Sequence, residues 1–242
     1  MKIFSKSDIG KKRTMNQDSF ADKVLTENMS WSIVCDGMGG LSAGEIASSK
    51  ATEFIADFFQ KHLSENSSEE DIKKYMFDAA RLANEEVYKA SKENSELGKM
   101  GTTLVMCVVK DDFAGFAYLG DSRAYLLTED SISQVSVDHS IVQQMLDSGE
   151  ITPEQAKNHP QKNIITRALG IDPTISLDYK EVRIPPKGKI LLCTDGLTNY
   201  LDSLEILDIC KENSCETAAE KLIDESNNRG GKDNITVSII ET

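Results

Sequence analysis

The chain has 242 residues, enough for one large domain or two small ones with a substantial buried core. Hydrophobic residues make up 39% and charged residues 28%, which is typical of a folded domain and excludes an intrinsically disordered one. With 27 Lys and Arg against 40 Asp and Glu, the net charge is −13, so nucleic acids and anionic membranes are poor candidates as partners.

Nothing in the sequence predicts a membrane span or a secretion signal. No apolar run reaches spanning length, and no apolar segment follows the basic opening "MKIFSKSDIGKK". The five cysteines include no CxxC pair, and three of them lie inside apolar runs, where cysteine is a small core residue: Cys35, Cys107 and Cys193. We therefore expect a reducing, cytoplasmic location.

The first part of the chain predicts short strands followed by two helices. The strands are "IFSKSDIG", "DSFADKVL" and "WSIVC". After Gly44 the apolar spacing becomes helical, and Ser67 or Ser68 is expected to cap the second helix. The predicted buried faces are Ile46, Ala47, Ala51, Phe54, Ile55 and Phe58 in the first helix, and Ile72, Met76, Ala79, Ala80, Ala83, Val87 and Ala90 in the second.

The rest of the chain predicts more strands, a helical insertion and two further helices. "GTTLVMCVV", "FAGFAYLG", "SRAYLLTED" and "ISQVS" read as an antiparallel meander, and residues 140–170 as short helices and loop. "SLDYKEVRI" and "KILLCTD" are strands, "SLEILDICKE" and "CETAAEKLIDESNN" are helices, and "NITVSIIE" is a last strand. This order indicates an α+β sandwich with helices outside two packed sheets.

Two apolar runs each lead to an aspartate followed by a glycine. They are "SIVCDGMGG", with Asp36, and "ILLCTDGLTN", with Asp195. Asp-Gly commonly marks a hairpin turn, but here each pair is followed by helical spacing rather than by a strand. Loops between strands and helices often carry functional residues, so both aspartates are candidates.

Three more aspartates border predicted strands beside Gly or Asn: Asp18 in "RTMNQDSF", Asp121 in "YLGDSRAYL" and Asp233 in "RGGKDNITV". Asp121 also has a purely structural interpretation, as the turn of a hairpin paired with Arg123. If the aspartates converge, their mutual repulsion calls for a divalent cation. Three histidines and no Cys/His cluster argue against zinc, and an all-oxygen site selects Mg²⁺ or Mn²⁺.

Two such ions can hold a bridging water, lower its pKa and direct it at phosphorus. Arg13, five residues before Asp18, would then clamp phosphate oxygens. Its alternative is a surface cation within "GKKR", and the spacing alone does not separate the two interpretations.

Eight motifs occur in order along nearly the whole chain: "RTMNQD", "VCDGMGG", "GTTL", "GDSRAY", "DHS", "ITRALG", "LLCTDGL" and "GGKDNITV". Together they resemble the PPM family, the metal-dependent protein phosphatases of the 2C type, in its compact bacterial form. The resemblance implies a four-layer α-β-β-α sandwich of two antiparallel sheets flanked by paired helices. It also implies one catalytic domain over residues 1–242 that hydrolyses phosphoserine and phosphothreonine in proteins by attack of a metal-bridging hydroxide on phosphorus.

The resemblance also implies roles for individual residues. Asp36 would bridge two Mn²⁺ or Mg²⁺ ions, with the Gly37 carbonyl on one of them. Asp195 and Asp233 would hold the other ion, and Asp18 would bind nearby through water. Asp121 would help to hold a third, weaker metal. Arg13 would bind the substrate phosphate, Asn234 would support its loop, and residues 140–165 would form a mobile flap beside the site.

One position departs from the family pattern. Met38 stands where animal members have a histidine thought to protonate the leaving alkoxide, so we expect a metal-bound water to substitute. His139 is the alternative donor, although we expect it to support the base of the flap. The expected partners are phosphorylated proteins and, as the opposing enzyme, a Ser/Thr protein kinase.

Two other functions remain open at this stage. One is the branch of the family that dephosphorylates a single dedicated regulator, which usually carries a sensor or membrane domain. The other is a non-catalytic binding module on the same fold, which should have lost metal ligands.

Overall fold

The computed structural model describes residues 1–40, 42–93 and 100–242. The strands are β1 (Lys2–Asp8), β2 (Asp18–Thr26), β3 (Met29–Gly39), β4 (Met100–Thr102), β5 (Leu104–Lys110), β6 (Phe113–Leu119), β7 (Arg123–Leu127), β8 (Ile132–Gln134), β9 (Asp178–Arg183), β10 (Lys189–Cys193) and β11 (Ile235–Glu241). The helices are α1 (Ala43–His62), α2 (Glu69–Glu93), α3 (Ile141–Asp147), α4 (Pro153–Lys157), α5 (Asp195–Thr198), α6 (Ser203–Glu212) and α7 (Cys215–Asn228).

The strands form two antiparallel sheets. Sheet A has the order β1-β11-β10-β7-β8, and sheet B has the order β2-β3-β5-β6-β9, with β4 paired to the end of β3. Helices α1 and α2 pack on sheet B, and α7 packs on β1 and β11 of sheet A, with α6 beside it. This arrangement confirms the predicted four-layer sandwich.

Three apolar layers hold the sandwich together. One lies between sheet B and the first helix pair, a second between sheet A and the last helix pair, and a third between the sheets. Because side chains alternate along a strand, Ile33 and Cys35 of β3 face the helices, whereas Val34 faces sheet A. Continuous apolar runs such as "SIVC" therefore belong to strands buried on both faces.

The first helix pair follows the predicted spacing with one shift. Phe59 of α1 is fully buried, whereas Phe58 is only partly buried and stacks on His62. Ser68 caps α2, because its hydroxyl accepts a hydrogen bond from the Asp71 N–H and the Asp71 carboxylate accepts one from the Ser68 N–H.

The predicted continuous meander is wrong at one point. Strand β6 belongs to sheet B and β7 to sheet A, so Gly120, Asp121 and Ser122 carry the chain from one sheet to the other. The hairpin interpretation of Asp121 is therefore wrong as well. Arg123 does not pair with Asp121 but makes a two-pronged salt bridge with Asp138, 2.7–3.0 Å from its carboxylate.

A second difference concerns the glycines after Asp36. Strand β3 does not end there but continues through Gly37 and Met38 to Gly39, because β4 pairs with exactly this stretch of backbone. Short helices α3 and α4 occupy residues 140–165, as the sequence predicts. Among the described residues, no helix is long and apolar enough to cross a membrane.

Candidate active site

The candidate aspartates gather at one end of the space between the sheets. Asp18, the first residue of β2, lies directly opposite Asp36 in the β2–β3 register. Asp36 is two residues beyond Val34, and therefore points to the same inter-sheet face. Asp121 lies in the crossover from β6 to β7, Asp195 follows β10 and Asp233 precedes β11, all at this end.

The backbone of Asp36 is fixed by two threonines of "GTTL". The Asp36 N–H donates to Thr103 Oγ1 at 2.9 Å, and the Asp36 carbonyl accepts from Thr102 Oγ1 at 2.9 Å and the Thr103 N–H at 2.8 Å. The Thr103 hydroxyl also shares a 2.7 Å hydrogen bond with Ser122, the neighbour of Asp121. A rigid connection therefore links the β3 carboxylate to the crossover that carries Asp121.

Two more threonines fix Asp18: Thr194, directly after β10, and Thr236, in β11. Thr194 Oγ1 and Thr236 Oγ1 donate to Asp18 Oδ2 at 2.9 Å and 2.7 Å. The other oxygen, Oδ1, is buried and has no hydrogen-bond partner among the described residues. Burial raises the pKa of Asp18 to about 7, although the two hydroxyl groups oppose the shift. A buried carboxylate oxygen without a partner is costly unless a ligand completes it.

Arg13 reaches the same cluster through Asp233. Its guanidinium donates to Asp233 Oδ2 at 2.8 Å, and this contact raises the pKa of Arg13, with further help from the charges of Asp36 and Asp195. Both partners are partly exposed, the Arg13 side chain by 49% and that of Asp233 by 34%, so the guanidinium is accessible to a solute. Arg13 is therefore exposed, as the surface-cation interpretation expects, but its guanidinium also lies at the edge of the carboxylate cluster.

Asn234 closes the loop that carries Arg13. Its side-chain oxygen accepts from the Gln17 N–H at 2.8 Å, and its side-chain NH₂ donates to the carbonyls of Ile9 and Met15, each at 3.0 Å. The supporting role expected for Asn234 is thus seen directly.

The glycines after Asp36 and Asp195 permit close backbone contact. A Cβ on Gly37 would lie 2.0 Å from the Gly44 carbonyl oxygen, and a Cβ on Gly196 would lie 1.9 Å from the Asn234 carbonyl oxygen. Any side chain at these positions would push α1 away from β3, or α5 away from the Asn234 loop. The two Asp-Gly pairs therefore serve packing at the site and do not form hairpin turns.

The carboxylates affect one another electrostatically. Burial raises the pKa of Asp36 well above its usual value, and the charges of Asp18, Asp195, Asp121 and Asp233 raise it further. Burial and the nearby Asp195 raise the pKa of Asp121 to about 7, and burial and Asp233 raise that of Asp195. Several acids share a space that stabilises their charge poorly, as expected of a site that needs a cation.

The donor atoms are of the type that a hard divalent ion requires, and they lie in one region. They are not arranged as a complete coordination shell. Within residues 1–40, 42–93 and 100–242, no three carboxylate, imidazole or thiol side chains are arranged as ligands of a single ion. One of the candidate carboxylates, that of Asp233, is instead bound to Arg13. The donors are oxygens only, and Asp18 Oδ1 has no hydrogen-bond partner, so Mg²⁺ or Mn²⁺ suits the site and Zn²⁺ does not.

His139 supports the fold, as expected. Its ring is buried, and its Nδ1 accepts from the Gly120 N–H at 3.1 Å. With Nδ1 accepting, the proton lies on Nε2, which faces Asp178 Oδ2 at 3.1 Å, and the ring stacks on Tyr118. Both nitrogens are thus engaged away from the five candidate aspartates. Met38 is half-buried and has no proton to give.

A cleft of about 780 Å³ opens beside Asp121 and Asp195. One wall is formed by the flap (residues 140–165), and the other by residues 198–204. Leu204, 70% exposed, lies at its rim and is the most exposed large apolar side chain among the described residues. The cleft therefore leads directly to two of the candidate carboxylates.

Sequence reasoning missed the residues that hold the aspartates in place. They are Thr102, Thr103, Thr194, Thr236 and Asn199. A threonine hydroxyl gives no signal in a single sequence, because the aspartate that it binds lies far away along the chain. The one available hint was position, since Thr102 and Thr103 lie in "GTTL" and Thr194 directly precedes Asp195.

Comparison with known proteins agrees with this geometry. The model of the protein phosphatase 2C family matches residues 9–230. The serine/threonine phosphatase stp of Listeria welshimeri is 36% identical over 237 residues, covering 98% of this chain and 94% of that protein. The chain belongs to the protein phosphatase 2C family and is a phosphoprotein phosphatase.

Two solved structures illustrate the likeness. Serine/threonine phosphatase Stp1 from Staphylococcus aureus gives a TM-score of 0.92 at 32% identity, covering 99% of this chain and 94% of that one. The catalytic domain of serine threonine protein phosphatase PstP, in complex with 2 manganese ions, gives a TM-score of 0.85 at 28% identity, covering 98% of this chain and 96% of that one.

Proposed function

We propose that the protein hydrolyses phosphoserine and phosphothreonine in other proteins, that it needs Mn²⁺ or Mg²⁺, and that residues 1–242 act as one catalytic domain. The supporting observation is the group of five aspartates at one end of the sandwich, with Asp18 Oδ1 buried and unpartnered and Arg13 at its edge. The serine/threonine class is that of the relatives named above.

Within this proposal the aspartates hold two ions, and a third more weakly. The two core ions would be held by Asp36, the Gly37 carbonyl, Asp195 and Asp233, with Asp18 nearby, and Asp121 would help to hold the third. The metals would supply an activated water and polarise the phosphate. The chain keeps the ligands in place through Thr102 and Thr103 around Asp36, and Thr194 and Thr236 on Asp18.

The reaction consumes one water per phosphate released. A new bond forms between the water oxygen and phosphorus, the bond from phosphorus to the Ser or Thr oxygen breaks, and that oxygen takes up a proton. Arg13 would leave Asp233 and bind phosphate oxygens, which suits its forked donor geometry. Because Met38 cannot donate a proton and His139 is engaged elsewhere, water rather than either side chain supplies the proton.

The substrate must come from a reaction that places phosphate on a Ser or Thr hydroxyl, which is the reaction of a Ser/Thr protein kinase. We propose such a kinase as the opposing enzyme. A reducing compartment such as the cytoplasm suits the protein, because all five cysteines are unpaired and buried.

The direct test is hydrolysis of a phosphothreonine peptide with Mn²⁺, with Mg²⁺ or with EDTA. We expect turnover with either metal and none in EDTA. A phosphotyrosine peptide of the same sequence is the substrate control, and we expect it to react poorly. Full turnover in EDTA would exclude the metal mechanism, and no turnover under any condition would favour a non-catalytic module.

Two variants separate the metal ligands from the phosphate clamp. Asp36→Asn should lower kcat about 100-fold or more, since the metals contribute several kcal/mol to the transition state. Arg13→Ala should mainly raise KM, if the guanidinium binds phosphate equally in ground and transition states. Asp22→Asn is the matched control, because Asp22 lies on the same strand pair opposite Ser32 and should leave both constants unchanged.

A further inference from the structure

The flap has few buried side chains to hold it in place. Helix α3 buries only Val142, and α4 buries none. The base is fixed by backbone hydrogen bonds, from the Ile141 N–H to the Ile164 carbonyl at 2.9 Å and from the Thr166 N–H to the His139 carbonyl at 2.7 Å. A segment with so little buried apolar surface opens at small free-energy cost, so the remaining contacts decide its position.

Lys162 makes one of these contacts. Its ammonium donates to Asn199 Oδ1 at 2.8 Å, across the cleft that separates the flap from the end of α5. In the part of the chain that the structure describes, this is the only hydrogen bond from a flap side chain to a residue outside the flap. The flap's other side-chain hydrogen bonds stay within residues 140–165.

Asn199 passes the contact on to Asp195. Its Nδ2 donates to Asp195 Oδ2 at 2.9 Å, and its backbone N–H donates to the Asp195 carbonyl at 2.8 Å. The two residues are four apart on one helical turn, which places their side chains on the same face. The orientation of the amide follows from its partners, because an ammonium can only donate and a carboxylate can only accept.

We propose that Lys162 and Asn199 are positioning residues: the hydrogen-bond chain Lys162–Asn199–Asp195 couples the position of the flap to the orientation of a metal-ligating carboxylate. The inference deepens the proposed function and rests on it. When the flap is seated, the Asn199 NH₂ group holds the Asp195 carboxylate through its Oδ2 atom. When the flap lifts, Asn199 loses its partner on the outer side, and Asp195 becomes free to rotate.

The electrostatics act in the same direction. The Lys162 ammonium binds the oxygen of the same Asn199 amide whose NH₂ group binds the Asp195 carboxylate. The seated flap thus brings a cation towards the acid that a metal ion needs in its charged form. Coupling of this kind is reciprocal, so metal binding should also hold the flap down.

The test measures hydrogen exchange of the flap amides with and without saturating Mn²⁺, together with Mn²⁺ affinity by calorimetry. In the wild-type protein, we expect Mn²⁺ to slow flap exchange about two- to fivefold, the range that one partly exposed hydrogen bond supports. In Lys162→Met and Asn199→Ala, we expect this slowing to vanish and Mn²⁺ binding to weaken by a similar factor. The double variant should add little to either single one, because both break the same chain.

Lys157→Met is the matched control. Lys157 belongs to the flap and lines the same cleft, but within the described residues its ammonium makes no hydrogen bond or salt bridge. It should behave as wild type. If Mn²⁺ slows flap exchange equally in wild type and Lys162→Met, the coupling is wrong even when phosphopeptide hydrolysis is normal. A different outcome would be that flap exchange responds to Mn²⁺ in wild type and Lys157→Met only, while no protein hydrolyses the phosphopeptide. The proposed function would then be wrong and the coupling would stand.

Discussion

Asp18 shows why single aspartates in this protein need help from their surroundings. Its carboxylate lies opposite that of Asp36, and one of its oxygens is buried without a partner. Two threonine hydroxyls compensate only part of the cost, since burial still raises the pKa of Asp18 to about 7. A buried aspartate of this kind lowers the free energy of unfolding of the metal-free protein, and its position becomes favourable once a cation is bound.

Asp121 gives the sharpest prediction at the residue scale. Changing Asp121 to Asn keeps the shape of the side chain but removes the charge that would hold a third metal. We expect thermal stability in EDTA to be unchanged or slightly higher, because the carboxylate is costly there. We expect turnover to fall while the two core ions remain bound. The measurement is phosphopeptide hydrolysis across a Mn²⁺ titration, with metal content determined in parallel.

The control for Asp121 is Asp130→Asn, since Asp130 is exposed in the turn between β7 and β8. It should change neither stability nor turnover. Wild-type turnover of the Asp121 variant at every Mn²⁺ concentration would give Asp121 a structural role in the crossover between the sheets.

At the scale of secondary-structure elements, α5 depends on Gly196. A Cβ there would lie 1.9 Å from the Asn234 carbonyl oxygen, so Gly196→Ala must separate α5 from the loop before β11. We expect the free energy of unfolding to fall by about 1–3 kcal/mol, as in other overpacked sites. Urea denaturation is the measurement.

Gly40→Ala is the matched change for Gly196, because a Cβ at Gly40 would meet nothing within 4 Å. It should leave the free energy of unfolding within a few tenths of a kcal/mol of wild type. Equal midpoints for the two alanine variants would show that the α5 contact yields without cost.

The base of the flap should respond to pH through His139. Burial lowers the pKa of His139 below its usual value, with Arg167 acting in the same direction and Asp178 opposing it. A lowered pKa in the folded state favours the neutral ring, so His139 contributes stability that is present above pH 6.5 and is lost as pH falls through its folded pKa. Acidification from pH 7.5 to pH 5 should therefore weaken the wild-type protein more than a His139→Gln variant.

The measurement for His139 is the free energy of unfolding in urea at the two pH values, with EDTA present for both proteins. Taking the difference between the proteins cancels the titration of the remaining acids. Parallel pH dependence in wild type and variant would contradict the assignment of a buried neutral ring.

Sequence reasoning succeeded where the signal was local. Helical spacing gave the apolar faces of α1 and α2 to within one residue at Phe59, and the Asp-Gly pairs marked two of the clustered acids. It failed where partners lay far apart in the chain. "FAGFAYLGDSRAYLL" has the spacing of a hairpin, and only the sheet assignment shows that its halves belong to different layers. Neighbouring residues in the sequence likewise did not predict the Arg123–Asp138 salt bridge or the hydrogen bonds of the threonine hydroxyls.

The whole molecule should be most stable with metal bound. Because the aspartates come from both sheets, a cation would tie the sheets together at this end, and binding to the folded state alone shifts the unfolding equilibrium. At Mn²⁺ 100 times above its Kd, we expect about 2.7 kcal/mol of stabilisation and a rise in Tm of about 5–10 °C over EDTA. Asp36→Asn should remove most of the rise. An identical Tm in EDTA and Mn²⁺ would contradict a metal site built from both sheets.

The pairing of β1 with β11 bears on how the chain folds during its synthesis. Lys2 lies opposite Glu241 and Asp8 opposite Ile235, so an early strand finds its neighbour only in a late one. Before β11 leaves the ribosome, β1 has no neighbouring strand in its sheet, Asp18 lacks the Thr236 hydroxyl, and Asp233 is not yet in place. Sheet B can pair earlier, because β2, β3, β5 and β6 all lie between Asp18 and Leu119. The nascent chain should therefore remain without a complete active site until β11 has been made.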